Sequence, residues 1–157
     1  MKILFIGDVY GRSGREAIET HLPMLKADYA PDIVIVNVDN VSNGRGITEK
    51  HAAQIFSWGA DVLTGGDHVW DQREMIPYIA REPRMLRPLN FPENAPGSGL
   101  YKFQTAAGQA CLVIHAAGRV FMKDVFNDPF AAIKHVLDRN PLGANTVSYT
   151  HLRAHET

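Results

Sequence analysis

Three short apolar runs, each handing over to small and acidic or amide residues, constrain this chain more than any other feature. Ile3-Leu4-Phe5-Ile6 runs into Gly7-Asp8, and Ile33-Val34-Ile35-Val36 runs into Asn37-Val38-Asp39-Asn40. Val62-Leu63-Thr64 runs into Gly65-Gly66-Asp67-His68. An apolar run without polar alternation is expected for a strand covered on both faces, as in a parallel sheet. Helical patterns lie between the runs. Ile18, Leu22 and Leu25 fall on one stripe, with Ser13 as the expected N-cap and Pro23 predicting a kink or break. Thr48 can cap a helix through about Trp58, which Gly59 stops. Asp71 followed by Glu74 has the capping-box pattern for a third helix, to about Arg81; Asp71 could instead orient the loop bearing His68, and the cap is the favoured role. The alternation β-α-β-α-β-α implies a parallel sheet with right-handed crossovers.

The remainder reads differently. Pro83, Pro88, Pro92 and Pro96, with Gly97 and Gly99, mark a loop-rich stretch. Leu100 to Thr105 and Ala110 to His115 read as a hairpin about Ala107-Gly108. Asp128-Pro129 starts a helix lined by Ile133, Val136 and Leu137 and ended by Asn140-Pro141. A length of 157 residues suits one core.

In a parallel sheet the C-terminal strand ends share one edge, where such folds bind ligands. Asp8, Asp39, Asn40, Asp67 and His68 therefore become neighbours. Adjacent side chains at a strand end diverge, so Asp67 and His68 are expected to point apart. Hard oxygen donors with an imidazole suit a divalent-metal hydrolytic site. Each residue also has a plainer reading. Asp8 can be a turn residue, 42–46 a flexible turn, and a lone histidine is more often structural than catalytic. A dinucleotide site using Gly11, Gly14 and Asp39 is a rival, although Gly7, Gly11 and Gly14 do not match G-x-G-x-x-G. A second rival is a regulatory or scaffold protein without hydrolysis. The formal charge of −1 argues neither for stable nucleic-acid binding nor for an anionic membrane surface. The single cysteine, Cys111, lies in an apolar run and reads as a buried, inert thiol. The N-terminal apolar run is too short for a signal segment or a membrane span, so the cytoplasm is the expected location.

Several blocks together resemble the YmdB-like family of calcineurin-type metallophosphoesterases. They are I-L-F-I-G-D-V-Y-G-R-S-G-R, N-V-D-N-V-S-N-G-R-G-I-T-E-K, G-A-D-V-L-T-G-G-D-H-V-W-D, R-P-L-N-F-P-E-N-A-P-G-S-G, A-A-G-R-V-F-M and N-D-P-F-A-A. The resemblance implies an α/β layered fold with a mostly parallel sheet flanked by helices. It also implies a two-metal phosphodiesterase acting on 2′,3′-cyclic nucleotides. By position, Asp8 would bind one metal, Asp39 would bridge two, Asn40 would add an oxygen and Asp67 would bind the second. His68 would be the proton donor, and Arg119 is the candidate for phosphate contact. The implied cofactors are two divalent ions (Fe, Mn or Mg), and the implied partner is a small phosphodiester, with a homo-oligomer left open. The family usually carries Glu where Asp39 stands and Asn where Asp67 stands.

From about Val147 the chain resembles a translated sequencing adapter, so 1–146 is expected to be a partial metallophosphoesterase domain and 147–157 a non-native tail. The H-x-x-x-H spacing of His151 and His155 is accordingly not read as a metal motif. A domain cut short there is expected to be weakly active or inactive.

Overall fold

The computed structural model describes residues 1–120, 122 and 126–141, together with the backbone of 148–149. Strand β1 is Ile3–Ile6, helix α1 Gly11–Tyr29, strand β2 Ile33–Asn37 and helix α2 Glu49–Ser57. Strand β3 is Val62–Thr64, helix α3 Met75–Arg81 and strand β4 Met85–Leu86. The hairpin strands β5, Leu100–Gln104, and β6, Ala110–Ile114, precede helix α4, Pro129–Arg139, and the short strand β7, Ser148–Tyr149. One sheet has the order β1-β2-β3-β4, all parallel; the other has β5-β6-β7, with β5 antiparallel to β6 and β7 parallel to it.

The sequential strand order explains where the helices go. Right-handed crossovers between successive neighbours put α1, α2 and α3 on the same face. Alternate residues of β2 then separate two cores. Val34 and Val36 join Ile18, Leu22, Ala52, Ile55 and Met75 of the three helices. Ile33 and Ile35 face the opposite way and join Val62, Leu86 and Val113, with Phe5, Tyr101 and Phe103 packed against them. A third cluster puts Val136 of α4 on Leu112 and Ile114 of the hairpin. The layers are therefore helices, parallel sheet, hairpin sheet and helix, the expected mostly parallel α/β arrangement flanked by helices.

Four local expectations change. β1 is less buried than expected: Leu4 and Ile6 pack against one core and Phe5 against the other, but among the described residues it is the sheet's edge strand, and Ile3 is 38% exposed. Helix α1 starts at Gly11 with Tyr10 as its N-cap, so Ser13 lies inside the first turn. It also runs unbroken through Pro23. An interior proline costs about 3 kcal/mol, but burial of Ile18 and Leu22 on the same helix contributes roughly 1.5–3 kcal/mol each. The loop-rich stretch contains β4, too short for any periodicity to reveal. By contrast, Thr48 caps α2 by accepting from the His51 amide at 3.2 Å. Asp128 caps α4 through the Phe130 amide at 2.9 Å. Among the described residues, no helix is long and apolar enough to cross a membrane. His151 and His155 lie outside the described residues.

Candidate functional site

Strands β1, β2 and β3 run parallel, so Asp8, Asp39, Asn40, Asp67 and His68 all leave the sheet by one edge. Asp39 is 2% exposed and Asn40 6% exposed, whereas Asp8 is exposed. The five residues form two halves.

In one half, carboxylate oxygens of Asp39 and Asp67 and a ring nitrogen of His68 all lie within 4.8 Å of one another. Asp39 is held by the loop that follows β3: its Oδ1 accepts from the Gly66 amide and from the His68 amide at 3.2 Å. Gly66 permits this approach, because a Cβ at that position would run into the Asp39 carboxylate. The Asp67 and His68 side chains do not diverge as neighbours on a strand end would. They converge instead, with His68 Nε2 3.7 Å from Asp67 Oδ2. The reason is that β3 ends at Thr64, so both residues sit in turns, beyond the pleat that alternates side chains.

In the other half, Asn40 Nδ2 donates to Asp8 Oδ1 at 2.6 Å. Asp8 has φ 44°, a left-handed conformation that few non-glycine residues adopt. Backbone bonds close around it: the Val9 amide donates to Asn37 O at 3.1 Å and the Gly11 amide to Asn40 O at 3.0 Å.

The loop 42–46 is tied down on both sides. Ser42 donates its amide to Gly46 O at 2.8 Å, and Gly46 donates to Asp39 O at 2.7 Å. Gly46 has φ 67°, and a Cβ there would meet the His68 carbonyl. The segment is a turn closed by its own backbone hydrogen bonds and packed against the loop after β3.

A cavity of about 10 Å³ opens between Asp39 and Asp67 and is also lined by Asn37, Gly66, His115, Ala116, Ala117 and Met122. That is about the size of one water-scale occupant. In the sequence His115 reads only as the end of a strand, yet it follows β6 as Asp8 and Asp67 follow β1 and β3. The strand-end rule could have singled it out.

Asp71 also departs from its expected role. It does not cap α3: that helix begins at Met75 with Glu74 in the cap position. Its Oδ2 lies 2.9 Å from His68 Nδ1. Arg119 stands in the segment after β6, exposed.

The dinucleotide rival loses its loop. Gly11 and Gly14 belong to α1, and their amides are engaged by Asn40 O and Tyr10 O, both at 3.0 Å. What remains is a layered α/β protein with a carboxylate–imidazole cluster at the C-terminal edge of its parallel sheet.

Residues 4–157 match the family described as YmdB-like protein, and the chain belongs to that family. It is 42% identical over 130 residues to the 2′,3′-cyclic-nucleotide 2′-phosphodiesterase of Bacillus subtilis, covering 83% of this chain and 48% of that protein. The chain spans about half the length of the curated relatives it matches. Two crystal structures share its fold. One, a Thermus thermophilus protein described as hypothetical, gives a TM-score of 0.86 at 33% identity, covering 98% of this chain and 59% of that one. The other, described as a novel phosphatase of Mycoplasma pneumoniae, gives 0.85 at 28% identity, covering 98% and 56%.

Proposed function

We propose that this chain carries the oxygen-ligand side of a metal-dependent phosphodiesterase site, with a 2′,3′-cyclic nucleotide as the substrate. The observation that carries this reading is the grouping of Asp39, Asp67 and His68 within 4.8 Å at the sheet edge. The donor set fits divalent cations: Asp39 and Asp67 offer hard anionic oxygens, and Asn40 keeps its amide oxygen available because its nitrogen is the atom bonded to Asp8. In this reading Asp8, Asp39, Asn40 and Asp67 would be this chain's share of the ligands for two ions of the Fe, Mn or Mg kind. Such ions supply Lewis-acid charge stabilisation and an activated water nucleophile.

The protein's own residues do the rest. The backbone amides of Gly66 and His68 fix Asp39, so this carboxylate does not reorganise when charge arrives. His68, beside Asp67, is the proton donor to the departing ribose oxygen, a role that needs hydrogen-bond reach to that atom. Arg119 is exposed and would contact the phosphate from outside the cluster. All these residues lie within 1–146, the span we assign to the domain. The Bacillus subtilis relative's name specifies the 2′ ester, so the expected product is a nucleoside 3′-phosphate.

The test is Mn²⁺ titration of this chain followed by hydrolysis of 2′,3′-cyclic AMP and 3′,5′-cyclic AMP, with the Bacillus subtilis relative as positive control. The expected result is Mn²⁺ binding that Asp67→Ala abolishes, and weak turnover confined to the 2′,3′ substrate with 3′-AMP as product. A chelator such as EDTA should remove it. Unchanged Mn²⁺ affinity in Asp67→Ala, or turnover that survives chelation, would overturn the reading.

A further inference from the structure

We propose that the groove between the first turns of α1 and α2 receives the RNA strand behind a terminal 2′,3′-cyclic phosphate, so that the substrate is the 3′ end of a short oligoribonucleotide. This rests on the phosphodiesterase reading and names the substrate class of that same site. Strands β1 and β2 run parallel and hand over to α1 and α2, so both helices begin at the edge that carries the acidic cluster. A groove of about 250 Å³ lies between them. Arg12, Arg15, Lys50 and His51 line it from the starts of the two helices, and Glu16 and Glu19 line it farther along α1. Two contacts tie the groove to the site. Arg15 Nη1 donates to Val41 O at 2.6 Å, and His51 Nδ1 lies 3.4 Å from Ser42 Oγ. Val41 and Ser42 follow Asn40 directly in the chain.

The charges are graded along the groove. Arg12 is paired with Glu16 at 2.6 Å. Among the described residues, Arg15 and Lys50 form no ion pair and are left as the free cations. Their field is felt next door: after burial, Arg15 and Lys50 push the His51 pKa below its ordinary value, against Glu74. The groove is thus cationic beside the cluster and acidic a turn or two away. That gradient suits one phosphate, not a long strand, in keeping with the net charge of −1. An aromatic surface stands at the mouth. Tyr10, two residues after Asp8, is 60% exposed. Its ring is seated on Gly44, where an added Cβ would lie 3.0 Å from Tyr10 Cε2. Cations along a groove with an exposed ring are what single-stranded nucleic acid needs, phosphates on the cations and a base on the ring.

The chemistry of the end group fits this placement. A 2′,3′-cyclic phosphate requires a ribose with no nucleotide beyond it, so a polymer presents it at the 3′ terminus and continues through O5′. The reaction is unchanged. Water adds at phosphorus, the P–O2′ bond breaks, O2′ takes a proton, and an oligonucleotide 3′-phosphate leaves.

The binding test uses the product form, which does not turn over. With Mn²⁺ present, adenylyl-adenosine 3′-phosphate should bind several-fold more tightly than adenosine 3′-phosphate by calorimetry. Its log Kd should depend on log salt with a slope steeper by about 0.7, the value for one single-strand phosphate. Lys50→Glu should erase the gain and the extra slope while leaving the mononucleotide's affinity near the parent's. Tyr10→Ala should weaken both ligands by about fivefold or more, the loss of one stacked base. A third nucleotide should add nothing in the parent and should add a further gain in Glu19→Lys. A dinucleotide that binds no tighter than the mononucleotide, a gain that survives Lys50→Glu, or unchanged affinities in Tyr10→Ala overturns the proposal.

Hydrolysis separates this proposal from the reading beneath it. Cleavage of 2′,3′-cyclic AMP with no advantage for the cyclic-ended dinucleotide overturns the groove and leaves the phosphodiesterase reading standing. The binding gain without hydrolysis of either substrate supports the groove as an RNA-end site and overturns the phosphodiesterase reading.

Discussion

Asp39 and Asp8 follow neighbouring strands of the same sheet and are held in opposite ways. Asp39 is 2% exposed and is bound by two backbone amides of the loop after β3. Asp8 is exposed, and its side chain is held by one amide, that of Asn40, while its backbone sits at φ 44°. Charge-assisted bonds from backbone amides need no side chain to be ordered, so the Asp39 half is built by the fold itself. The Asp8 half carries backbone strain, which persists only where surrounding bonds over-determine it. The difference teaches that one sheet edge combines a rigid anchor with a strained arm.

The sharpest way to break that comparison is to remove the anchor. Asp39→Ala leaves the Gly66 and His68 amides without their acceptor, at about 1–3 kcal/mol for each donor that stays buried. Relief of repulsion from Asp67 offsets only part, because Asp67 is 24% exposed and screened. A urea midpoint equal to the parent's would show that Asp39 is not an anchor.

Next in size is Gly66→Ala. Its new Cβ would meet the Asp39 carboxylate, and forced displacement of this kind costs about 1–3 kcal/mol. Denaturation together with Mn²⁺ titration should show both stability and affinity reduced. Full retention of both would mean that the loop has room the geometry denies.

The strained arm should respond differently. Asp8→Gly relieves the left-handed backbone but gives the unfolded chain more freedom, so the net change should stay within about 1 kcal/mol. Mn²⁺ affinity should nevertheless fall. A destabilisation as large as that of Asp39→Ala would erase the distinction between the two halves.

The smallest effect concerns the 42–46 loop, which packs against both. His51, 3.4 Å from Ser42 Oγ, has its pKa pushed below the ordinary value, first by burial and then by Arg15 and Lys50, with Glu74 opposing. A histidine with a depressed folded-state pKa binds its proton more readily when unfolded. Its favourable contribution is therefore complete above the unfolded value and is lost as pH falls through the folded one. His51→Gln should flatten the decline in stability below about pH 6.5, the unfolded histidine value. A steeper decline in the variant would reverse the assigned sign.

Much of this molecule was legible in its residues, for one physical reason. Buried parallel strands announce themselves as local apolar runs, and parallel strands deliver their ends to one edge. Val62-Leu63-Thr64 and the Asp67-His68 that follows could be placed together without coordinates. So could the Thr48 and Asp128 caps, since a cap is a contact across two or three residues. The failures are non-local. Ile3–Ile6 reads as a covered strand, yet only the strand order makes it an edge. Met85–Leu86 is a strand because β3 offers it a partner, not because two residues have a pattern. Asp71 and Glu74 spell a cap, but the turn 68–71 gives Asp71 to His68. That Asp39 is clamped by the Gly66 and His68 amides depends on residues some 27 positions away. The chain alone determined which residue types reach the sheet edge. Only the tertiary structure decided their partners, because hydrogen bonds between loops are set by how strands stack, and no local spacing encodes that.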